Sequence, residues 1–266
     1  MPWLGVDGVE LHYDERGKGA PVVFSHGLLW SGAMFDAQVA ALSSRFRCIA
    51  YDHRGQGRSA TSPMPYDMER LTDDAVRLIE KLDAAPCHFV GLSMGGFIGM
   101  RIAARRPELL RSLTLIETAA DGEPRLNVLK YGAMRLVSRF VGLRPLVPPV
   151  MPIMFGSSFL RDPARAALRD KMRDELLALD VPRVSAALEA VVSRRPILDE
   201  LARVRTPTLV LHGDEDRAIA MPRAMAMARA IEGARVVIIP RAGHTSSVEA
   251  PEAVTRELGA FFEAHA

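Results

Sequence analysis

A serine flanked by two glycines carries the sharpest chemical signal in this chain. In Phe89-Val90-Gly91-Leu92-Ser93-Met94-Gly95-Gly96-Phe97, the spacing Gly91-x-Ser93-x-Gly95 follows an apolar run and precedes a helical pattern. A serine at the tip of so tight a strand-to-helix turn has strained backbone angles, and a side chain two residues to either side would clash. The turn lifts the hydroxyl clear of the sheet edge and sets it at a helix N-terminus, where free N–H groups favour negative charge. A hydroxyl is a poor nucleophile near neutral pH. It needs a base, and the base needs an orienting acid.

Seven histidines compete for the role of base. His12 lies in an early hairpin, His88 at the start of the strand below the serine, and His265 in the tail. His53 and His212 sit at strand ends, and His26 belongs to Ser25-His26-Gly27, a loop needed elsewhere. His244, in Pro240-Arg241-Ala242-Gly243-His244-Thr245, follows the apolar run Val236–Ile239 and precedes the last helix. In a parallel sheet the loops after strand C-ends share one edge, so His244 and Ser93 can meet.

The acid belongs on the same edge. Leu211-His212-Gly213-Asp214-Glu215-Asp216-Arg217 follows the run Thr208–Leu211. Asp216, farthest from the strand and beyond the turn that Gly213 allows, is the leading candidate. Asp214 reads as a loop or turn residue, and Glu117, after the run Leu113–Ile116, is a second place from which an acid could reach. Acyl transfer also needs donors for a developing oxyanion. The backbone N–H groups of Met94, next to the serine, and of Leu28, in Phe24-Ser25-His26-Gly27-Leu28, are the candidates. His26 would then brace that loop. Trp30, just behind it, and Phe155 are weaker candidates for touching substrate.

The elements that must position these groups are short apolar runs alternating with amphipathic segments. The runs are Pro21–Ser25, Cys48–Tyr51, His88–Leu92, Leu113–Ile116, Thr208–Leu211 and Val236–Ile239. They are continuous, as in strands buried on both faces. Thr72–Leu82 reads as a helix with Val76, Ile79 and Leu82 on one side. Strand, helix, strand repeated in this way predicts an α/β fold, a mostly parallel sheet with helices on both faces. Asp7-Gly8, between Leu4-Gly5-Val6 and Val9–Tyr13, predicts a hairpin ahead of it.

The alternation breaks between residues 121 and 195, which show helical periodicity, proline breaks and no strand. The expected organisation is one core domain, residues 1–120 and 196–266, interrupted by a helical insertion, residues 121–195. Met134, Leu136, Val137, Phe140, Val150, Met151, Ile153, Met154 and Phe155 give the insertion an apolar surface. Most of them are expected to pack it onto the core, and some to line a pocket between insertion and sheet.

Composition excludes less. The 266 residues are 48% apolar and 25% charged with a net charge of +2, an ordinary globular mixture that argues against disorder, fibres and coiled coils. Near-neutral balance gives no support for nucleic-acid or membrane-surface partners. Residues 121–200 carry 13 Lys+Arg against 10 Asp+Glu, too small an excess to imply an anionic substrate. Cys48 and Cys87 lack a Cys-x-x-Cys spacing and read as buried thiols. The histidines lack metal-ligand spacing, so no metal is expected. Asp52-His53-Arg54-Gly55-Gln56-Gly57-Arg58-Ser59 imitates a dinucleotide loop, but Ser62-Pro63-Met64-Pro65 forbids the helix such a site needs, so no cofactor is expected. The start Met1-Pro2-Trp3-Leu4-Gly5-Val6-Asp7 lacks the pattern of a secretory signal, and prolines break the charge-free stretch 145–160. A cytoplasmic monomer or homodimer is the expectation.

These motifs together resemble the α/β-hydrolase superfamily. The likeness runs through Ser25-His26-Gly27, Asp52-His53-Arg54-Gly55-Gln56-Gly57-Arg58-Ser59, Gly91-Leu92-Ser93-Met94-Gly95-Gly96, Gly213-Asp214-Glu215-Asp216 and Gly243-His244, in the family's order of nucleophile, acid and histidine. It covers nearly the whole chain except the insertion, which corresponds to the family's variable cap. The likeness implies a triad of Ser93, Asp216 and His244 acting on a small-molecule carboxylic ester or lactone, with a similarity to bacterial enol-lactonases of the 3-oxoadipate type. Superfamily dehalogenases and epoxide hydrolases carry aspartate where this chain has Ser93. Cofactor-free perhydrolases (haloperoxidases) and carbon–carbon bond hydrolases share the serine triad and remain alternatives. The perhydrolases usually have an aromatic residue and then proline after the His-Gly pair, where this chain has Leu28-Leu29. A non-catalytic small-molecule receptor on the same fold is a further alternative.

Overall fold

A computed structural model describes residues 3–61 and 64–266. Ser62 and Pro63, half of the stretch expected to block a helix, lie outside them. Among the described residues eight strands, β1 (Trp3–Val6), β2 (Val9–Arg16), β3 (Pro21–Ser25), β4 (Arg47–Tyr51), β5 (Cys87–Leu92), β6 (Leu110–Ile116), β7 (Thr208–Gly213) and β8 (Arg235–Ile239), form one sheet in the order β1-β2-β4-β3-β5-β6-β7-β8. The first two are a hairpin whose turn residues Asp7 and Gly8 both have positive φ, 42° and 79°, as a two-residue type I′ turn demands. β2 runs on to Arg16 and pairs antiparallel with β4. From there to β8 every pairing is parallel.

The central strands β5 and β7 are buried along their whole length, which is why they read as unbroken apolar runs. β8 departs from that expectation. It pairs only with β7 and ends the sheet, so Val236 and Ile238 are exposed on it.

Helices α1 (Asp36–Leu42), α2 (Met68–Lys81) and α3 (Met94–Arg105) follow β3, β4 and β5. The α2 helix starts earlier than the periodicity suggested, capped by Asp67, whose side chain accepts from the Arg70 N–H. Its core face is Met68, Leu71, Ala75, Leu78 and Ile79, with Val76 and Leu82 at the margin. Between β6 and β7 the regular elements are all helical: α4 (Arg125–Val141), α5 (Val147–Met154), α6 (Ser157–Arg161), α7 (Ala166–Leu177), α8 (Val181–Val192) and α9 (Leu198–Leu201), with one short 3₁₀ turn. The chain closes with α10 (Met221–Ala230), α11 (Ser246–Glu249) and α12 (Pro251–Glu263). Residues of α2, α3 and α10 share one apolar cluster on one side of the sheet, and those of α1 and α12 share another on the opposite side.

The apolar residues of the helical stretch divide three ways. Met151 and Phe155 are buried against the core, while Met134, Val150, Ile153 and Met154 line a cavity. Leu136, Val137 and Phe140 instead face solvent, Phe140 at 77% exposure, against the expectation that they pack inward. Periodicity marks a face but not what lies opposite it. Among the described residues no helix is long and apolar enough to cross a membrane.

Candidate active site

Ser93 joins β5 to α3 with φ 51° and ψ −106°, a left-handed backbone that a non-glycine residue holds only when its surroundings enforce it. Enforcement is visible on both sides. The Ser93 N–H donates to Ile116 O at 2.8 Å, and Thr118 Oγ1 donates to Ser93 O at 2.9 Å. A Cβ on Gly91 would lie 2.3 Å from Gly95 O, and one on Gly95 would lie 2.0 Å from Ser25 O. The two glycines are therefore steric requirements of the turn. They let α3 start directly against β3 and β5.

Asp216 lies beyond β7 and His244 beyond β8. His244 Nδ1 and Asp216 Oδ2 are 3.0 Å apart, with the two side chains 6% and 0% exposed. The other carboxylate oxygen accepts the N–H groups of Ala218 at 2.8 Å and Ile219 at 3.1 Å. With Nδ1 donating its proton to Asp216 Oδ2, the Nε2 lone pair of the imidazole is left free. Ser93 and His244 both border one cavity of about 140 Å³.

The other two acids have different work. Asp214 Oδ1 accepts from the Arg241 N–H at 2.7 Å and ties the β7 loop to the β8 loop. Glu117, fully buried and at φ 42°, accepts from the Gly213 N–H at 2.9 Å. Burial, and then the charge of Asp216, push its pKa well above the ordinary carboxylate value.

Leu28, in the loop after β3, and Met94, the first residue of α3, lie on either side of the serine, and neither N–H donates to another group among the described residues. The dinucleotide-like loop turns out to brace this region. Asp52 Oδ1 accepts from the Gly32 N–H at 2.8 Å, and Gln56 Oε1 accepts from the Leu29 N–H at 3.2 Å. Leu29 itself sits at φ 75°. His26 Nε2 accepts from the His53 N–H at 3.0 Å, so its proton is on Nδ1, which donates to Gly27 O at 2.7 Å. Burial lowers the His26 pKa. It is a neutral brace. Cys48 and Cys87 are buried, which raises both thiols to about 12.

Leu28, Leu29 and Trp30 form one wall of the cavity. Tyr131 and Met134 of α4, with Val184 and Leu188 of α8, form another. Burial and Glu123 raise the pKa of Tyr131, so its hydroxyl stays neutral. Phe155 does not line the cavity. It is 1% exposed, lies edge-on to Trp30 at 5.8 Å and stacks on Phe159 at 5.0 Å. Any influence on bound substrate passes through Trp30, because a ring in an apolar helical run is drawn into the packing between helix and core.

Two acids that sequence reasoning passed over brace the loops around the site. Glu249 Oε2 accepts from the N–H groups of Gly156 at 2.8 Å and Gly243 at 3.0 Å, and Oε1 from the Thr245 N–H at 3.1 Å and its hydroxyl at 2.9 Å. Glu215 accepts from the Ser158 N–H at 2.7 Å and from the Ser157 and Ser158 hydroxyls. Both thereby staple the loops after β7 and β8 to the start of α6. The Ser246-x-x-Glu249 spacing was a legible helix-start signal, but nothing in it points to Gly156. Among the described residues no group of three His, Cys, Asp or Glu side chains could hold a metal ion.

Comparison with known proteins agrees with the fold. A family model described as the alpha/beta hydrolase family matches residues 22–257. The enol-lactonase from Burkholderia xenovorans LB400 is 32% identical and superposes with a TM-score of 0.90, covering 98% of this chain and 100% of that one. A thermophilic esterase from Thermogutta terrifontis is 29% identical, also at 0.90, covering 100% of this chain and 98% of that one. A Pseudomonas syringae pv. syringae protein designated carbamate hydrolase RutD is 29% identical over 265 residues, 95% of this chain and 97% of its own.

Proposed function

We propose, on the premise that the chain belongs to the alpha/beta hydrolase family, that it cleaves a carboxylic ester or lactone through an acyl-enzyme on Ser93. The observation that carries this reading is the meeting of Ser93 and His244 on one largely apolar cavity, with His244 hydrogen-bonded to a buried Asp216. Nε2 of His244 takes the Ser93 proton as the hydroxyl attacks the carbonyl, and Asp216 stabilises the imidazolium that results. The N–H groups of Leu28 and Met94 receive the oxyanion. His244 returns the proton to the leaving alkoxide, then activates water to release the acid.

The helices of residues 121–195 act as a cap whose inner face sets selectivity. Leu143, Leu146, Val150, Ile153 and Leu188 line the cavity with few polar groups, which suits an apolar acyl or alcohol part and gives a small polar carbamate few partners. The test is a hydrolysis panel of p-nitrophenyl esters of rising chain length, lactones and carbamates, with peracid formation from hydrogen peroxide followed on the same protein. Preference for esters with an apolar chain is the expected result. Turnover confined to carbamates or to peracid formation contradicts it.

A further inference from the structure

The α4 helix wears its amphipathicity inside out. At 3.6 residues per turn, Leu126, Leu129, Ala133, Leu136, Val137 and Phe140 share one face, and all are exposed, Leu126 at 77% and Leu129 at 72%. The opposite face, Tyr131, Met134 and Ser138, borders the cavity. A helix packed on a globular core normally turns its apolar stripe inward, so this stripe lacks its partner. Its flanks carry the second observation. Residues 124–161 contain six Lys and Arg and no Asp or Glu. Lys130 borders the stripe on one side, Arg125 and Arg139 on the other. Arg125, Lys130, Arg139 and Arg144 form no ion pair among the described residues. The near-zero net charge of the whole chain conceals this local excess.

We propose that α4 is an interfacial helix that lays its Leu129–Phe140 stripe on an anionic lipid surface. An exposed apolar face edged by basic side chains is the arrangement that inserts into the headgroup boundary, where long cationic side chains reach back to the phosphates. The charge argues against a second copy of the chain as occupant. Two such stripes packed together would bring basic flanks into contact, and residues 124–161 offer no acid to offset them. The helix lies on the surface and does not span it, consistent with the absence of a membrane-crossing helix among the described residues. Because Tyr131, Met134 and Ser138 sit on the other side of the same helix, a bound surface rests about one helix diameter, ~10 Å, from the cavity. The proposal does not depend on the reaction assigned to Ser93.

Flotation with vesicles tests it. Vesicles of equimolar phosphatidylcholine and phosphatidylglycerol should carry the protein at low salt, pure phosphatidylcholine vesicles much less, and added salt should release it. Leu129→Ser with Phe140→Ser should weaken binding by about tenfold per side chain and leave hydrolysis of a water-soluble short-chain ester unchanged. Lys130→Gln with Arg139→Gln should weaken binding to the anionic vesicles alone, by about fivefold per charge. Failure of the parent protein to float with anionic vesicles overturns the proposal, as does flotation indifferent to both double variants. A dimer in light scattering that the Leu129/Phe140 variant dissociates, without vesicle binding, would assign the stripe to a second copy.

Discussion

Glu249 is the residue whose removal most cleanly separates the scaffold of the site from its chemistry. Its two oxygens accept three backbone N–H groups and one hydroxyl, from Gly156, Gly243 and Thr245. In Glu249→Gln the shape survives but one oxygen becomes an NH₂ group. Set at the Oε2 position, the amide faces the N–H groups of Gly156 and Gly243. Set at the Oε1 position, it faces the Thr245 N–H, and only the hydroxyl can turn to accept. The Gly243 N–H reaches both oxygens, so in either orientation one buried backbone donor, that of Gly156 or of Thr245, loses its acceptor. That costs about 1–3 kcal/mol. For a chain of this size the melting temperature falls by about 2–12 °C. The freed segment is Gly243-His244-Thr245, so kcat on a p-nitrophenyl ester should fall by roughly 10- to 100-fold, as a displacement near 1 Å in a catalytic group produces. KM should change less, because the cavity walls are untouched. Thermal melting by circular dichroism and steady-state kinetics measure both effects. A variant with unaltered melting temperature and unaltered kcat would refute the assignment of Glu249 as the anchor of the histidine loop.

Other expectations follow from single contacts. Glu117 has its pKa raised by burial above the ordinary 4.5, so the folded state binds that proton more tightly than the unfolded chain. Its contribution is fully present below the unfolded pKa and is lost as pH rises through the folded value. Glu117→Gln should therefore gain in melting temperature relative to the parent as pH rises from acid to neutral; parallel pH profiles would contradict this. In Gly95→Ala the new Cβ meets Ser25 O at 2.0 Å, a backbone atom that cannot yield without parting α3 from β3. The variant should lose at least about 1–3 kcal/mol and most of its activity, and a crystal structure with Ser93 in place would count against the steric account. Met134→Trp adds bulk to a cavity of about 140 Å³; kcat/KM for a long-chain ester should drop at least about tenfold relative to acetate, and an equal effect on both esters would remove Met134 from the acyl-binding wall.

The parallel strands were legible because β5 and β7 are covered on both faces, which leaves the unbroken apolar runs Phe89–Val90 and Leu209–Leu211 at their centres. The Ser93 turn was legible because its glycines answer a steric demand that leaves few alternatives. Asp216 led Glu117 and Asp214 by its place in the loop, and in the structure it is hydrogen-bonded to His244. Environment was harder to read than pattern. Leu136, Val137 and Phe140 have the spacing of a core face yet point outward, because helical periodicity is indifferent to whether protein, lipid or water lies beyond. Val236 and Ile238 look like any central strand, and only pairing order reveals β8 as an edge. Glu249 and Glu215 escaped because their partners, Gly156 and Ser158, are remote in sequence and are recognised through backbone N–H groups that every residue but proline possesses.

The account rests on Ser93 as the attacking group, and kcat/KM of Ser93→Ala on the best ester of the panel tests that most directly. With Asp216, His244 and the Leu28 and Met94 donors intact, it should fall by about four to six orders of magnitude while the melting temperature stays near that of the parent. A folded Ser93→Ala protein that hydrolyses the ester at the parent's rate would contradict the account.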